Sequence, residues 1–363
     1  MPISRNDNKP LTWTLQGAHL GDNLQVKALA DALGWPQKNI SLQFNGAYRL
    51  PHFLLGSTLK TLKPSGKSQL QGPWPDLVIG AGRRSAPVAR WIKARSGGRC
   101  RLVQLGRPRA ALRLFDLVVT TPQYDLPDAD NVIQNLMPLS GPVEALPDIE
   151  IEKWRAFFSR YSRPWTGVLV GGSTWPFVLD AAAATDLKKK ASRLAASENG
   201  SLLIACGPRT SPEATAALVE AAGAPAYIHR FDSGEANPYS AMLALCNSFI
   251  VTGDSVSMIS EACKTGKPVY IFDVPRRQGW GPVIAGYLER WRRGEGLLAR
   301  GLLHLAASGV LSPPRNVARF HEQIIQAGHA TWLGSSGMPA AFAPEDELAA
   351  TVRRVRELFV RDG

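Results

Sequence analysis

The sequence predicts an α/β fold made of two domains. With 363 residues the chain exceeds a single domain of typical size. Short apolar runs alternate with amphipathic stretches along most of the chain, which is typical of strands and helices around a mostly parallel sheet. Residues 139–151 are Pro-rich, acidic and without a hydrophobic period, which indicates an interdomain linker. We therefore expect domains at residues 1–145 and 146–314, followed by C-terminal helices over residues 315–363.

The first predicted domain contains five strands, each a short apolar run beside a turn signal. They cover residues 11–15, 40–44, 76–80, 101–105 and 116–120. A helix is predicted over residues 23–33, with Asp22 and Asn23 as its cap. Gly34 ends this helix, and a second helix is predicted over residues 86–94.

The second predicted domain repeats the alternation. Its strands are predicted at residues 167–170, 202–206, 226–229, 249–251 and 269–272. Its helices are predicted at residues 152–161, 181–197, 212–222, 240–245 and 257–265. The start at residue 212 is well signalled, because Ser211 suits an N-cap and Pro212 the first helical position.

The composition narrows the class of protein. At 45% hydrophobic and 20% charged residues it is that of a soluble globular protein, and no apolar run approaches the roughly 18 residues of a membrane span. The first residues carry no secretory signal pattern, so we expect a cytoplasmic protein. Four cysteines without CxxC spacing are expected to be reduced and buried: Cys100, Cys206, Cys246 and Cys263. The sequence shows no histidine cluster with ligand spacing, so no metal and no other cofactor are expected.

The net charge of +12 is concentrated in one basic block. This block lacks Asp and Glu, and its cations are Arg83, Arg84, Arg90, Lys93, Arg95, Arg99, Arg101, Arg107, Arg109 and Arg113. Such a surface attracts an anionic membrane, nucleic acid or an acidic substrate. A solvated helix face explains the block equally well. Nucleic acid is the weakest of the three, because the sequence shows no zinc spacing, helix-turn-helix pattern or aromatic RNP-type strand.

The most informative segment is the turn Thr252-Gly253-Asp254-Ser255, which joins a predicted strand to a predicted helix. Parallel sheets bind ligands at this edge, and a helix start offers N–H groups to an anion. The candidates for holding a phosphate are Ser255, Ser257 and the amide of Met258, and the candidate for a ribose is Glu261. Asp254 would repel a phosphate, so we expect it to cap the helix or to orient a serine.

Three further loops are predicted at the same sheet edge. The turn Gly171-Gly172-Ser173 either approaches a phosphate or is a tight turn without a ligand. Arg209 either makes a bidentate contact with a diphosphate or pairs with a surface acid. The third loop begins at Asn237, whose side chain would reach the nucleotide. Tyr239 in the same loop either stacks on a base or packs in the core.

This segment resembles known families. The pattern TGDSxSMxxEAxxTGKPVY, residues 252–270, resembles the nucleotide-sugar half of GT-B glycosyltransferases. Together with NPY at residues 237–239 it is similar to the mitochondrial fission elongated-mitochondria family, whose bacterial members are often described as nucleoside-diphosphate-sugar epimerase-like. Weaker resemblances lie at residues 17–25, 80–87, 171–173 and 319–321.

The resemblance implies two Rossmann-like domains that face each other across a cleft, with a terminal helix that crosses back to the first domain. It implies a nucleotide diphosphate sugar as ligand and Glu261 as the residue that holds the ribose. It also places a general base in the glycine loop near the start, where His19 or Asp22 would take the role. A surface histidine and a helix-capping aspartate are the ordinary explanations of these two residues.

The segment Gly80-Ala81-Gly82-Arg83-Arg84-Ser85 follows a predicted strand and has a GxG pattern. The chemistry of this segment argues against a dinucleotide site, since the third position is Ser and no acid follows until Asp116. Arg83 and Arg84 instead suit an acidic group on an acceptor or on the donor.

Two hypotheses remain from the sequence. The first is a metal-independent glycosyltransferase that binds a nucleotide diphosphate sugar. The second, which the family resemblance implies, is a non-catalytic adaptor that recruits a dynamin-like GTPase or another partner. Its basic block would hold it at the surface of an anionic membrane.

Overall fold

The fold is α/β, with one parallel sheet in each of two units. The computed structural model describes residues 9–50, 55–141, 146–277, 315–335, 337 and 347–360. The first unit holds the described residues up to 141 together with 315–316 and 347–360. The second unit holds residues 146–277 and 317–337 within the described part.

The strands are β1 (Thr12–Gln16), β2 (Gln37–Ser41), β3 (Leu77–Ala81), β4 (Arg101–Leu105), β5 (Leu117–Thr120), β6 (Val132–Gln134), β7 (Trp165–Val170), β8 (Ser201–Cys206), β9 (Ala226–His229), β10 (Ser248–Thr252), β11 (Val269–Phe272) and β12 (Thr331–Trp332). The helices are α1 (Leu20–Leu33), α2 (Pro64–Lys67), α3 (Gly82–Arg95), α4 (Asp148–Phe158), α5 (Ala181–Ser197), α6 (Pro212–Glu220), α7 (Tyr239–Leu245), α8 (Val256–Lys264), α9 (Val317–Gln326) and α10 (Glu347–Val360).

The first sheet has the order β2-β1-β3-β4-β5-β6, and all its neighbouring strands are parallel. Chain order reverses between β1 and β3, so this pair is the topological switch point of the sheet. β2 lies three residues earlier than the predicted strand at 40–44, because the polar Gln37 and Lys38 pair with β1. The three-residue β6 was not predicted, since it is too short to show an alternation.

The second sheet has the order β12-β11-β10-β7-β8-β9, again with parallel neighbours. Numbered within the unit this is 6-5-4-1-2-3, the doubly wound order of dinucleotide-binding folds. Its switch point lies between β7 and β10. The prediction of two Rossmann-like α/β domains is therefore confirmed at the level of each unit.

Hydrophobic clusters cover both faces of the first sheet. One face packs on α3 through residues such as Val88 and Ile92. The other packs on α1 and α10 through residues such as Leu29 and Val355. The large side chains Trp13 and Trp165 are fully buried, one in each unit. Burial of this kind contributes roughly 25 cal/mol for each Å² of apolar surface removed from water and accounts for most of the driving force.

The last two described helices divide between the units. α10 contacts α1 in the first unit, where the Phe359 ring packs edge-on against Trp35 at 5.1 Å. The Glu347 carboxylate accepts hydrogen bonds from the N–H groups of Leu136 and Met137, which fixes the start of α10. α9 belongs instead to the second unit, so the predicted C-terminal segment that starts at residue 315 is divided between the two units.

All four cysteines are free and buried, as the composition predicted. Burial raises the pKa of the Cys100, Cys246 and Cys263 thiols to about 12. They are therefore neutral small side chains of the core. Within the described part of the chain, no helix is both long enough and apolar enough to cross a bilayer.

Candidate functional site

The predicted site residues lie beyond the carboxyl ends of strands: after β1 and β3 in the first unit, and after β7, β8, β9 and β10 in the second. His19, Asp22, Arg83 and Arg84 line one cavity of about 210 Å³ in the first unit. The remaining candidates, from Gly171 to Glu261, lie in the second unit.

The turn between β1 and α1 forms one wall of the cavity. Asn23 clamps this turn, because its Oδ1 accepts from the N–H of Gly17 and its Nδ2 donates to the carbonyl of Gly17, both at 2.8 Å. The helix begins at Leu20, three residues earlier than predicted, with His19 as the N-cap residue. Asp22 therefore lies in the first helical turn and Asn23 braces the loop, so neither is the cap that the sequence suggested.

The turn between β3 and α3 forms the opposite wall. A Cβ at Gly80 would lie 2.8 Å from the Ser85 hydroxyl, so glycine allows the helix to pack closely on the strand. The Ser85 hydroxyl donates to the carbonyl of Ala81, and Nε2 of the buried Gln104 donates to the carbonyl of Gly82 at 2.8 Å. These bonds hold Arg83 and Arg84 in the first turn of α3. The GxG pattern thus serves packing and placement of the two arginines.

Three more arginines reach the cavity, namely Arg107, Arg109 and Arg315. Arg109 has a left-handed backbone with φ 52°, which is unusual for a residue with a side chain. Burial lowers its pKa, and the positive charges of Arg83 and Arg315 lower it further. The Arg109 guanidinium thus lies partly out of water among like charges.

Two aromatic rings support the arginines. The Arg84 guanidinium lies 4.3 Å from the centre of the Tyr48 ring, and that of Arg315 lies 5.0 Å from the centre of the Tyr124 ring. Cation–π contacts of this kind fix the direction of a guanidinium without neutralising its charge. Arg315 and Tyr124 were not predicted as site residues, because their sequence context gives no signal and only the fold brings them to this edge.

Some cations of the basic block form ion pairs and others line the cavity. Lys93 and Arg101 pair with Asp116 at 2.6 Å and 3.4 Å. Arg83, Arg84, Arg107 and Arg109 line the cavity instead. Asp116 lies outside the acid-free stretch in sequence but next to it in space. Asp116 therefore neutralises part of the basic block, and another part of it lines the cavity.

At the second switch point, the loop after β7 binds the loop after β10. The N–H of Gly171 donates to the Thr252 hydroxyl at 2.8 Å, and the N–H of Gly172 donates to the Asp254 carboxylate at 3.0 Å. A Cβ at Gly172 would lie 2.0 Å from the carbonyl oxygen of Arg209. These glycines are therefore required by close packing, and their two amides already have partners.

Asp254 does not cap α8, contrary to the expectation from sequence. The N-cap residue of α8 is Ser255, which makes no side-chain capping bond. Burial raises the pKa of Asp254, while bonds from Thr252 and Gly172 and the charge of Arg209 oppose this. Arg209 approaches Asp254 at 3.5 Å with 56% of its side chain exposed, so it pairs with a buried acid rather than a surface one.

Glu261 lies one helical turn and a half into α8 and does not face bulk solvent. The Tyr239 hydroxyl donates to its Oε2 at 2.5 Å. Burial raises the pKa of Glu261, and the bond from Tyr239 and the charge of Lys264 oppose this. Tyr239 therefore binds Glu261 through its hydroxyl, a contact that the sequence did not predict.

The other predicted residues of this edge are more exposed. Asn237 is exposed, and its Oδ1 accepts from the N–H of Tyr239 at 3.0 Å, so it shapes the entry to α7. The Ser173 hydroxyl accepts from the N–H of Leu179 at 3.0 Å. Ser257 is exposed and Met258 half-buried, both in the first turn of α8.

His321 on α9 supports the same loop, although the sequence indicated it only as part of a weak motif. Its Nε2 donates to the carbonyl of Gly253 at 2.8 Å, and its ring packs edge-on against Trp332. Burial lowers the pKa of His321 to about 4, so the ring is neutral at pH 7. The loop between β10 and α8 is thus held from both sides, by His321 and by the loop after β7.

Comparison with known proteins identifies relatives of the sequence. The family profile described as Mitochondrial fission ELM1 matches residues 21–282. An uncharacterized protein of Rickettsia prowazekii is 25% identical over 301 residues, which cover 72% of this chain and 83% of that protein. The mitochondrial fission protein ELM1 of Arabidopsis thaliana is 26% identical over 247 residues, which cover 60% of this chain and 56% of that protein.

Solved structures show a weaker similarity. A UDP-GlcNAc 2-epimerase from Methanocaldococcus jannaschii has a TM-score of 0.47 at 11% identity, over 96% of this chain and 99% of that chain. A glycosyltransferase from Rickettsia africae has a TM-score of 0.43 at 11% identity, over 88% of this chain and 98% of that chain. Similarity at this level supports no inference about ligand or activity, so the function has to be argued from the site itself.

Proposed function

The chain belongs to the mitochondrial fission ELM1 family, and from this premise we propose that it binds a nucleotide diphosphate sugar at the switch point of the second sheet. The observation that carries the proposal is the position of the segment from Gly253 to Glu261. It follows β10 directly, at the point where a doubly wound sheet reverses its strand order. Ligands of such sheets bind outside the carboxyl ends of the strands at this point.

The first turn of α8 is the proposed site for the diphosphate. Ser255, Ser257 and the amide of Met258 lie at the start of this helix, where N–H groups and the helix dipole favour an anion. Arg209 is more than half exposed beside Asp254, which leaves its guanidinium accessible to phosphate oxygens. The amides of Gly171 and Gly172 contribute no donors in this arrangement, since Thr252 and Asp254 accept from them.

Glu261 is the proposed partner of the ribose. Tyr239 binds one of its carboxylate oxygens and so sets the direction of the group. The second oxygen would accept from a ribose hydroxyl. Burial raises the pKa of Glu261, and a ribose hydroxyl that donates to this second oxygen would oppose the rise by stabilising the charged carboxylate.

Glycosyl transfer is the activity that we propose for the bound sugar. An acceptor oxygen would bond to the anomeric carbon as the nucleoside diphosphate leaves, and Arg209, Ser255 and Ser257 would stabilise the charge that develops on the diphosphate. His19 and Asp22 are the proposed bases for the acceptor proton, since both line the cavity of the first unit.

Binding is tested by thermal unfolding with uridine, adenosine and guanosine diphosphate sugars. Ligand at about 100 times its Kd stabilises by about 2.7 kcal/mol, a shift of roughly 5 °C or more. Glu261→Gln should remove the shift, and Glu220→Gln, which changes an exposed acid of the same unit, should keep it. A shift that survives in Glu261→Gln, or no shift with any sugar, contradicts the proposed site.

Transfer is tested by release of the nucleoside diphosphate. Replacing the base, by His19→Ala or Asp22→Asn, should lower turnover by about 10²–10⁴-fold while the donor-induced thermal shift remains. Turnover that is unchanged in both variants contradicts the role of these two residues.

A further inference from the structure

The cavity of the first unit has a charge that the nucleotide-sugar proposal does not use. Five arginines and one aspartate line it, a formal excess of four positive charges with His19 neutral. Arg83, Arg84, Arg109 and Arg315 form no ion pair with a carboxylate within the described part of the chain. Like charges this close raise the free energy of the empty cavity, and an anion that enters it would lower that free energy.

We propose that this cavity binds a ligand through a phosphate group that carries at least two negative charges, such as a diphosphate or a phosphomonoester. The inference is independent of the nucleotide-sugar site, which lies in the other unit. Guanidinium groups from three separate segments converge here, on α3, after β4 and just before α9. A tetrahedral phosphate presents several oxygens in different directions, which suits such a set better than a planar carboxylate does.

The groups that would bind phosphate are held in place without it. Asn23 fixes the β1–α1 turn, Gln104 fixes the β3–α3 turn, and the Tyr48 and Tyr124 rings support two guanidinium groups. Little side-chain freedom is then lost on binding, which favours affinity.

Asp22 limits how the ligand sits. Its carboxylate points at the Cα of Gly82, where an added Cβ would lie 3.4 Å from Oδ2. A phosphate would keep away from this carboxylate and lie among the arginines of the cavity. Asp22 then faces the organic part of the ligand, where a hydroxyl is a suitable partner.

The site is tested by calorimetry with inorganic pyrophosphate and with glycerol 3-phosphate at low salt. We expect saturable binding that weakens as salt is raised. The double variant Arg83→Gln/Arg84→Gln should bind at least about tenfold more weakly. Arg113→Gln is the matched control, because it removes an exposed arginine of the same basic block outside the cavity and should bind as the wild type does.

A variant in the second unit separates the two sites. Ser257→Asp places a negative charge at the start of α8, so it should remove any pyrophosphate bound there and keep the binding that depends on Arg83 and Arg84. Loss of pyrophosphate binding in Ser257→Asp together with full binding in the arginine variant overturns this inference while it supports the nucleotide site. Absence of saturable binding of either phosphate compound to the wild type also overturns it.

A measurement on the wild-type protein covers the case in which the variants fail to fold. Phenylglyoxal modifies accessible arginines, and mass spectrometry locates the modified residues. Pyrophosphate should protect Arg83, Arg84, Arg109 and Arg315 and should not protect Arg113. Equal modification with and without pyrophosphate contradicts the inference.

The source of the phosphate is decided by competition. Vesicles that contain phosphatidic acid are added to the protein with pyrophosphate bound. If the vesicles displace pyrophosphate from the wild type, and this effect is absent in the double arginine variant, the phosphate group that the cavity binds belongs to a lipid headgroup. Retention of pyrophosphate in the presence of vesicles identifies a soluble phosphate compound, and both results support the same cavity chemistry.

Discussion

The two switch points of this molecule share a layout and differ in how their polar groups are used. Each has a glycine-containing turn, a second turn beside it and a helix that begins at the edge of the sheet. In the second unit, the turns bind each other through Gly171, Gly172, Thr252 and Asp254. In the first unit, Arg83, Arg84, Arg109 and Arg315 line a cavity and form no ion pair with a carboxylate among the described residues.

This difference distinguishes the polar groups that hold the loops in place from the polar groups that remain available to bind a ligand. In the second unit, the buried Asp254 is part of the framework, and the groups left for a ligand are the start of α8, Arg209 and Glu261. In the first unit, the framework is made by neutral groups such as Asn23 and Gln104, and the charges are left for a ligand. Unpaired charge at the sheet edge of the first unit is therefore stronger evidence for a binding site there than the sequence motif is.

The largest expected effect is at the tightly packed turn of the second unit. Gly172→Ala places a Cβ 2.0 Å from the carbonyl oxygen of Arg209, so one of the two backbones has to move. We expect a loss of about 3 kcal/mol in the free energy of unfolding, measured in urea. Gly46→Ala is the control, because a Cβ there meets nothing within 4 Å. Equal stability of the two variants would show that the turn is loose and that its glycines serve a ligand instead.

The next effect is the acid sensitivity of the loop held by His321. Its folded-state pKa of about 4 lies below the ordinary 6.5, so as the pH falls the unfolded chain takes up the proton first. The contribution of the neutral His321 to the free energy of unfolding is therefore complete above pH 6.5. It falls by up to about 3 kcal/mol as the pH is lowered towards 4.

His321→Gln keeps a donor for the Gly253 carbonyl but does not titrate, so its stability should depend less on pH in this window. Urea unfolding at a series of pH values measures the difference, with His19→Gln as the control for loss of an exposed histidine. A pH dependence of His321→Gln that equals that of the wild type would refute the assignment.

The smallest effect is expected at the cavity of the first unit. Arg83→Gln removes a like charge next to Arg109 and should raise the stability of the ligand-free protein by a few tenths of a kcal/mol at low salt. The gain should vanish at about 0.5 M salt, where surface charges are screened. Thermal unfolding at both salt concentrations, beside Arg113→Gln, measures it. A loss of stability in Arg83→Gln beyond that of the control would mean that Arg83 holds the fold together and is not reserved for a ligand.

Much of the fold could be predicted from the sequence because buried parallel strands are short apolar runs. The strands at 101–105, 226–229 and 269–272 were predicted with the bounds that the structure shows, and the N-cap role of Ser211 is confirmed by its bond from the N–H of Ala214. Short or polar elements such as β6 and β12 escaped, since two or three residues carry no periodicity. The start of α1 was misplaced because Asp22 and Asn23 resemble a cap locally, whereas Asn23 binds Gly17 six residues earlier.

The sequence by itself determined the α/β class, the two-unit organisation and the two glycine turns, because these depend on local hydrophobic pattern and local backbone freedom. It also placed Glu261 and the Arg83–Arg84 pair at sheet edges. Only the tertiary structure decided which polar groups meet: Tyr239 with Glu261, Gly172 with Asp254, and Arg315 with the arginines of α3. The physical reason is that hydrogen bonds and charge repulsion depend on distances in space, and residues far apart in sequence leave no local signal of such contacts.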